Sequence, residues 1–512
     1  MERGNAGPTP LAFGVTASNL IGGRWVPIDG SAMCSVDPAR PGRTVWSGVP
    51  SVADVGRGVD AARAAGPAWA AWPIERRAGV LRRFRALADA RADALATLIR
   101  DEVGKPGWDA LGEAQLLAAK IDLTLDPAGG LSRVMGYEVG VGPTRVGRCS
   151  FRPHGVMAVV GPFNFPMHLP SGHIAPALLM GNTVVFKPSD KAPACGQALA
   201  ALYQEALGAQ GAPPGVLNLV HGAGDVAAAL VAHDGIDGVL FTGSFAVGRR
   251  ILEANLDRPG RIVALEMGGN NAAIVMPDAD LRQAAVECVR AAFITAGQRC
   301  TCTRRLIVHA DVAARFIPAV CKAASALIVG DPAAAHPVFM GPMVSDRARA
   351  AVLAATARLA RAGELLVQPA AGDAGTGGFY LAPGVVRVER FSRDDDEEVF
   401  GPLLQVAVVG SLDEALEQAN ATRFGLAASI FTRDGPATAR FLAEARAGCL
   451  NVNTGTAGAS GRLPFGGLGL SGNHRPAGAF SLDSCAYPVA SLIETGAAAQ
   501  ETPGLTFDDR WL

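Results

Sequence analysis

The chain carries almost no net charge. Among its 512 residues, 46 basic side chains nearly balance 47 acidic ones, and the formal charge at pH 7 is -1. A surface without a strong positive field does not hold phosphate backbones or anionic lipids nonspecifically. The composition therefore argues against nucleic acid and against a membrane surface as partners.

Long apolar runs are also missing. No hydrophobic stretch approaches the roughly 20 residues that a bilayer-spanning helix needs. The opening residues, MERGNAGPTP, lack the basic start and apolar run of a secretion signal. The nine cysteines are scattered along the sequence and do not suggest a disulfide framework. We therefore expect a cytoplasmic protein whose thiols are reduced.

Internal repeats are absent, whereas hydrophobic residues make up 49% of the chain. This much apolar material supports a large core, and the length allows about two to four structural units. From about residue 155, short β-branched runs alternate with helical stretches, which is typical of a parallel sheet with crossover helices. A second such series follows Asp280. The pattern predicts two α/β lobes that join near Gly268 and Gly269.

Two pairs of residues have the spacing of a helix capping box, in which side chains three residues apart satisfy free backbone N–H groups. Ser51 and Asp54 predict the start of the first of two helices between residues 51 and 101. Ser411 and Glu414 predict the start of a later helix. We expect the helices between 51 and 101 to form a covering layer.

The cysteine that is a candidate nucleophile is Cys300, in the segment AGQRCTCTRR. Its thiolate would be a strong nucleophile if positive groups such as Arg299, or backbone N–H groups, lowered its pKa. A lone cysteine is more often a small core residue, so this position alone does not establish catalysis. Cys300 and Cys302 form a C-x-C pair, but no second pair or nearby histidine completes a zinc site, and we predict no metal.

Two polar residues follow predicted strands. Glu266 ends the hydrophobic run IVALE beside two glycines, where burial would raise its pKa toward the range of a general base. A structural glutamate in a salt bridge is an equally good interpretation. Asn164, in GPFNFP, follows the strand VMAVV, where its amide could donate to an oxyanion. An Asx turn is the alternative for Asn164.

A possible cofactor edge follows from two further strand ends. Gly243 and Gly248 in VLFTGSFAVGRRI lie between a strand and a helix, so free N–H groups of the helix could bind a pyrophosphate. Lys187 and Asp190 in FKPSD follow a neighbouring strand and could both contact ribose hydroxyls. A carboxylate there would repel a 2′-phosphate and favour NAD over NADP. The alternative is a surface ion pair.

Seven motifs occur in the order GPFNFP, FKPSD, FTGS, LEMGGNN, GQRC, EEVFGP and PFGG. As a set, they resemble the aldehyde dehydrogenase superfamily, and the interval of 34 residues from Glu266 to Cys300 agrees with that family. The resemblance extends from about Ile21 to about Ile493. It implies an NAD-dependent oxidation of an aldehyde through a cysteine thioester.

The resemblance also implies an α/β fold with three parts and a homodimer or a dimer of dimers. These parts are a Rossmann-like NAD-binding domain (1–136 and 154–267), an α/β catalytic domain (268–455) and a small β oligomerisation arm (137–153 and 484–495). A functional loop (456–483) would then return to the NAD-binding side.

Site roles are carried over from the family position by position. Cys300 resembles the nucleophile, Glu266 the general base and Asn164 the oxyanion donor. The positions that resemble cofactor contacts are Lys187 and Asp190 at the adenine ribose, Gly243, Ser244 and Gly248 at the dinucleotide turn, and Glu398 and Phe400 at the nicotinamide ribose. Asp190 departs from the glutamate expected there, which weakens the expected preference for NAD.

Within the family, the segments FRPHGVMAVVGPFNFPMHLPSGHIAPALL, AGQRCTCTRR and FGGLGLSGNHRP resemble the branch that oxidises N-succinylglutamate 5-semialdehyde in arginine catabolism. Such a substrate has two carboxylates, so its pocket should offer cationic or N–H donors. The candidates are His168, Arg299, His474 and Arg475. Ser171 and Val452 depart from that branch at positions that could affect substrate fit.

Three alternatives stay open from the sequence. The same chemistry could act on another semialdehyde, because a few pocket side chains decide specificity. A cofactor-independent thiol esterase would need Cys300 and Glu266 but not Lys187 or Glu398. A non-catalytic binding protein on an old enzyme scaffold is disfavoured because the three catalytic candidates are intact.

Overall fold

The structure is a computed structural model, and it describes residues 16–372, 374–394, 396–496 and 502–512. The strands of the described residues are β1 (Ser18–Ile21), β2 (Arg24–Pro27), β3 (Met33–Asp37), β4 (Arg40–Gly48), β5 (Tyr137–Gly140), β6 (Arg145–Pro153), β7 (Val156–Val160), β8 (Thr183–Lys187), β9 (Leu217–Leu219), β10 (Gly238–Thr242), β11 (Ile262–Glu266), β12 (Asn271–Val275), β13 (Thr303–His309), β14 (Glu364–Val367), β15 (Gly384–Arg387), β16 (Leu403–Val409), β17 (Ala427–Phe431), β18 (Cys449–Val452), β19 (Pro464–Phe465), β20 (Ala477–Gly478) and β21 (Ala486–Glu494). The α-helices are α1 (Ala53–Ala70), α2 (Ile74–Ala90), α3 (Ala92–Val103), α4 (Gly107–Thr124), α5 (His168–Leu179), α6 (Pro193–Ala209), α7 (Gly224–Ala232), α8 (Phe245–Glu253), α9 (Leu281–Phe293), α10 (Ala310–Ser325), α11 (Asp346–Ala362), α12 (Leu412–Asn420) and α13 (Gly435–Glu444).

The first large sheet has the strand order β11-β10-β7-β8-β9-β1-β2. Its five strands from β7 to β11 run parallel, and β1 joins β9 antiparallel. Strands β7, β8 and β10 are buried along their whole length, which explains their continuous hydrophobic sequences. The predicted parallel sheet is therefore confirmed.

The carboxyl ends of these parallel strands meet at one edge. The register pairs Val160 with Lys187, Phe241 with Val160, and Thr242 with Glu266. Ligands of open parallel sheets bind outside this edge. The strand order therefore brings the candidate base and a candidate cofactor contact to the same side of the sheet.

A second large sheet has the order β14-β15-β16-β13-β12-β17-β18, with only its edge strand β14 antiparallel. The chain passes from the first sheet to the second between Glu266, where β11 ends, and Asn271, where β12 begins. Gly268 and Gly269 lie in this short connection. The two sheets match the two predicted series of alternating strands and helices.

A separate three-stranded antiparallel sheet is formed by β21, β6 and β5. Several of its apolar side chains face outward, with Tyr137 66% exposed and Leu492 75% exposed. An antiparallel sheet with one unpacked apolar face is typical of an interface. The assignment of these strands to an oligomerisation arm, like the division of the chain into domains, stays a prediction.

The helices before residue 104 differ from the prediction, since the chain forms three helices there instead of two. The proposed capping box at Ser51 also does not form. The Ser51 hydroxyl accepts from the N–H of Ala53, and the Asp54 carboxylate is turned to the Asn19 amide and to Arg57. Asp54 therefore ties α1 to β1 rather than capping its own helix.

The second capping prediction is correct in its main contact. The Ser411 hydroxyl accepts from the N–H of Glu414 at 3.2 Å, and the Glu414 carboxylate accepts from the N–H of Gly410 at 2.7 Å. The start of α12 is thereby fixed from both sides.

Across the described ranges, no helix is both long and apolar enough to span a membrane.

Candidate active site

Glu266 ends β11 as a buried, unpaired carboxylate. Its side chain is 4% exposed, and no group among the described residues forms a hydrogen bond with either carboxylate oxygen. Burial raises the pKa of Glu266 well above its usual value, and the charge of Arg475 only partly opposes this. The interpretation as a salt-bridged structural glutamate is therefore wrong for this conformation, and the group can accept a proton.

The loop after β19 gives this carboxylate its space. Gly466 has a φ of +149°, and a side chain at this position would collide with Oε1 of Glu266. Farther along, the backbone of Gly472 forms a β-bridge with Glu266. The PFGG motif is thus explained by close packing of the backbone against the carboxylate.

Cys300 follows a strained segment of backbone. Thr295, Ala296 and Gly297 have φ values of +55°, +53° and +68°, and two of these three residues carry a side chain. Left-handed backbone is unfavourable for such residues and persists only where neighbours hold it. The segment turns the chain sharply between α9 and β13, and this turn presents Cys300 as a half-buried thiol.

Asn271 fixes this turn through hydrogen bonds to its backbone. Its Nδ2 donates to the carbonyl oxygens of Cys300 and Cys302 at 2.7 and 2.8 Å, and its Oδ1 accepts from the N–H of Ala427 at 2.9 Å. Because all three contacts are made by one amide that is 2% exposed, the cysteine loop is fixed to the second sheet. The second asparagine of LEMGGNN therefore has a structural role.

Asn164 lies against the same loop. Its Nδ2 donates to the carbonyl oxygen of Gln298 at 2.9 Å, and Asn164 is 6% exposed. An amide nitrogen has two N–H groups, so this contact orients the side chain and leaves one donor. The structure thus brings Asn164 next to the nucleophile loop, as an oxyanion donor requires.

Arg299 does not supply the positive charge that could lower the pKa of Cys300. The Arg299 guanidinium is 2.7 Å from the Asp109 carboxylate and also donates to the Thr295 hydroxyl. The pKa of the Cys300 thiol is raised, first by burial and then by the charges of Glu398 and Glu266. The thiol therefore needs a base nearby, and these two carboxylates are close enough to influence its charge.

Cys302 has a different environment. It is fully buried, and its thiol donates to the carbonyl oxygen of Ile294 at 3.8 Å. Within the part of the chain that the structure describes, no group of three or more His, Cys, Asp or Glu side chains is arranged to hold a metal. Cys302 is therefore a core residue beneath the turn.

Lys187 and Asp190 do not pair with each other. The Asp190 carboxylate binds Lys191 at 2.9 Å on the surface, while Lys187 is 5% exposed at the end of β8. Burial lowers the pKa of Lys187 to about 8. Burial would raise the pKa of Asp190, but Lys191 and Lys187 bring it below its usual value. The contact of either group with a ribose stays a prediction.

The two glycines of the turn after β10 are required by close packing. A side chain at Gly243 would collide with the ring of Phe241, and one at Gly248 would collide with Met267. Ser244 is exposed at the start of α8, and its side chain makes no capping hydrogen bond to that helix. Free N–H groups at a helix start favour an anion.

Glu398 lies at the junction of the two sheets. Its carboxylate accepts from the N–H of Gly269 at 3.2 Å, with Arg304 at 4.0 Å. Burial raises the pKa of Glu398 to about 7, although both of these partners oppose the rise. The neighbouring Phe400 packs edge-on against Phe163, near the Asn164 loop. Phe400 therefore lies near Asn164, and Glu398 lies beside the connection between the two sheets.

The predicted substrate contacts are dispersed. His168 begins α5, its Nδ1 has no partner among the described residues, and burial with Lys120 and Lys105 nearby lowers its pKa to about 3. It is therefore neutral and can serve only as an uncharged partner. His474 and Arg475 are exposed and left-handed, with φ values of +53° and +49°.

Sequence reasoning missed the charged residues of α4. Asp109 and Glu113 are 5% and 1% exposed, and Lys105 just before the helix is 1% exposed. A carboxylate at 113 interrupts the apolar positions Ala110 and Leu117, which lie three residues before it and four after it on one helix face. A charge in such a stripe is a signal that could have been used.

Comparison with known proteins identifies the family. Residues 25–488 match the aldehyde dehydrogenase family. The N-succinylglutamate 5-semialdehyde dehydrogenase 2 of Caulobacter vibrioides is 46% identical over 92% of this chain and 96% of its own length. The N-succinylglutamate 5-semialdehyde dehydrogenase of Paraburkholderia xenovorans is 42% identical over 95% and 99%. The crystal structure of a Thermus 1-pyrroline-5-carboxylate dehydrogenase with bound NAD has a TM-score of 0.86, is 30% identical and covers 94% of this chain and 93% of its own.

Proposed function

The chain belongs to the aldehyde dehydrogenase family, and we propose that it oxidises N-succinyl-L-glutamate 5-semialdehyde to N-succinyl-L-glutamate with NAD, as a step of arginine catabolism. The reaction is carried by one observation above all. Glu266 is a buried carboxylate with no hydrogen-bond partner among the described residues, and its charge adds, after burial and Glu398, to the raised pKa of the half-buried Cys300 thiol. The substrate is supported by relatives that match nearly the whole chain and carry that name.

The first step is attack of the Cys300 thiolate on the aldehyde carbon. A carbon–sulfur bond forms, and the carbonyl electron pair moves to oxygen. The free N–H of the Asn164 amide and the backbone N–H of Cys300 would stabilise this oxyanion. Because burial and the charges of Glu398 and Glu266 raise the pKa of Cys300, the thiol needs a base, and its proton passes to one of these two carboxylates.

The residues at the edge of the first sheet fit NAD. Lys187 and Asp190 can contact the adenine ribose, and the start of α8 with Ser244 can bind the pyrophosphate. Glu398 and Phe400 lie on the nicotinamide side. When bound there, NAD supplies the acceptor for the hydride that the cysteine adduct loses.

The second half of the reaction is hydrolysis of the acyl-cysteine. Glu266 removes a proton from water, the resulting hydroxide attacks the thioester carbon, and the carbon–sulfur bond breaks. The products are a carboxylate and the Cys300 thiol. A general base is needed here because water, unlike a thiol acceptor, is a weak nucleophile near neutral pH.

Two further properties are part of the proposal. We place the protein in the cytoplasm, because its nine cysteines are free and its nucleophile requires a reducing compartment. We also propose a homodimer or a dimer of dimers through the sheet of β5, β6 and β21, since side chains such as Leu492 leave apolar surface uncovered.

The proposal is tested by measuring initial NADH formation with three aldehydes. These are N-succinyl-L-glutamate 5-semialdehyde, succinate semialdehyde and a neutral aliphatic aldehyde, each with wild type and Cys300→Ala. We expect kcat/KM for the succinylated substrate to lead by at least about tenfold, roughly 1.4 kcal/mol of transition-state preference. We expect no turnover by Cys300→Ala.

The other outcomes separate the alternatives. Equal rates on all three aldehydes would reject the proposed substrate and leave a general aldehyde dehydrogenase. Ester hydrolysis without any NADH formation would favour a cofactor-independent thiol esterase. Glu266→Gln provides a test of the hydrolytic step, because it should form NADH in a single burst and accumulate acyl-enzyme. Full steady-state turnover by this variant would reject Glu266 as the base.

A further inference from the structure

Helix α4 carries two buried carboxylates, Asp109 and Glu113, that are one helical turn apart. Residues four positions apart lie on the same side of a helix. Asp109 is 5% exposed and Glu113 is 1% exposed. Buried carboxylates are unfavourable unless their oxygens are paired, so the partners of these two groups show what the helix face does.

Asp109 binds the nucleophile loop. Its Oδ1 is 2.7 Å from the Arg299 guanidinium, and its Oδ2 accepts from the Thr295 hydroxyl at 2.7 Å. The Arg299 Nε also donates to the same hydroxyl at 2.8 Å. Thr295 is the first of the left-handed residues, and Arg299 immediately precedes Cys300. Asp109 therefore binds the first residue of the strained turn, Thr295, and the residue before the nucleophile, Arg299.

Glu113 binds the loop that carries Asn164. Its Oε1 accepts from the backbone N–H groups of Met167 and His168 at 3.0 and 3.1 Å. Its Oε2 is 2.7 Å from the Lys105 ammonium, and neither side chain of this pair is exposed. The carboxylate is therefore fully paired, and it holds the start of α5 in place.

The loops bound by Asp109 and Glu113 also contact each other. The Lys105 ammonium lies 3.4 Å from the ring centre of Phe165, and the Arg299 guanidinium lies 4.9 Å from the same centre. On the other side, Asn164 donates directly to the carbonyl of Gln298. Each loop is thus attached to α4 and to the other loop.

We propose that Asp109 and Glu113 are positioning residues, which set the distance between the oxyanion donor Asn164 and the nucleophile Cys300 by binding their two loops to one helix. This proposal rests on the proposed function for its catalytic meaning. Neither carboxylate contacts the reacting atoms. A shift of about 1 Å in such a geometry can lower a rate about 100-fold without changing any catalytic side chain.

The test compares Asp109→Asn and Glu113→Gln with Asp122→Asn. Asp122 lies on the same helix, but its carboxylate is exposed and pairs with Arg85 on the surface. We expect the first two variants to lower kcat at least tenfold, with KM for NAD changed less than twofold. The Asp122→Asn control should keep both values within twofold of wild type.

Hydrogen exchange gives a second readout that does not depend on the substrate. Asp109→Asn should speed exchange in residues 294–302, and Glu113→Gln should speed it in residues 163–169. Asp122→Asn should change neither segment. If either α4 variant fails to fold, Arg299→Gln removes the Asp109 ion pair from the loop side and should affect 294–302 in the same way.

The outcomes distinguish the two proposals. Wild type that oxidises no aldehyde would reject the proposed function, while local exchange in the named segments would still decide whether α4 holds the loops. Unchanged kcat, or faster exchange spread evenly over the chain, would overturn the positioning role. Loss of kcat together with local exchange in the matching loop would support it.

Discussion

The side-chain amide of Asn164 and the backbone carbonyl of Gln298 are joined by a 2.9 Å hydrogen bond, which links the first sheet's ligand edge to the loop that carries the nucleophile. This bond orients the amide, so that its second N–H can meet an oxyanion formed at Cys300. The geometry of the oxyanion site therefore depends on a main-chain atom two residues before the nucleophile.

Replacing Asn164 with Ala should lower kcat by about 100- to 1000-fold, the usual loss when one oxyanion donor is removed. The substrate KM should change little, because the contact is made mainly in the transition state. Stopped-flow measurement of the NADH burst will show a slower burst rate. A burst as fast as wild type would mean that another group holds the oxyanion.

The strands and the two lobes could be predicted because their signals are local. Runs such as VMAVV and LLQVAVV match β7 and β16 residue for residue. Parallel strands that are buried on both faces have to be continuously hydrophobic, so the sequence shows them directly.

The contacts that the side chains of the site make with distant residues could not be predicted in the same way. Arg299 stands next to Cys300 in sequence, but its guanidinium is turned to Asp109, which is 190 positions away. The contacts of Asn271 with two main-chain carbonyls have no side-chain signal at all. Interactions between distant segments, and interactions with the backbone, leave little trace in a single sequence.

The two cysteines of the C-x-C pair should respond differently to substitution. Cys300→Ala should abolish turnover, because it removes the nucleophile. Cys302→Ala should keep kcat within about threefold of wild type and lower stability by about 1 to 2 kcal/mol, since it removes one buried thiol from a packed site. Steady-state rates and urea unfolding will separate these effects. Inactivity of well-folded Cys302→Ala would indicate a chemical role for that thiol.

Asp190 should control the choice between NAD and NADP. Its carboxylate is on the surface, and the lowered pKa means that it is charged at neutral pH. A fixed negative charge at the ribose repels a 2′-phosphate, so Asp190→Ser should raise kcat/KM for NADP several-fold relative to NAD. The exposed Asp234, which pairs with Arg258, offers a control as Asp234→Ser. An unchanged ratio in Asp190→Ser would show that the 2′ position lies elsewhere.

Glu266 should also make stability depend on pH. Its folded pKa is raised above the usual 4.5, so the folded state holds more protons than the unfolded state once the pH exceeds that value. By linkage, the contribution of Glu266 to the free energy of unfolding falls as the pH rises from 4.5 through the folded pKa. Glu266→Gln cannot lose this proton. The variant should match wild type near pH 4.5 and become progressively more stable than wild type as the pH rises.

Urea unfolding of both proteins between pH 4.5 and 8.5 measures this difference. Glu253→Gln is a suitable control, because Glu253 is exposed on α8 and pairs with Arg249 across the helix surface. Its difference from wild type should stay within about 0.5 kcal/mol at every pH. If the stability difference between Glu266→Gln and wild type is equally independent of pH, the Glu266 carboxylate must be solvated or paired in solution. Its assignment as a base whose pKa is raised by desolvation would then be rejected. A growing difference would mean that the protein gives up stability to keep an unpaired carboxylate beside Cys300, which a purely structural glutamate has no reason to do.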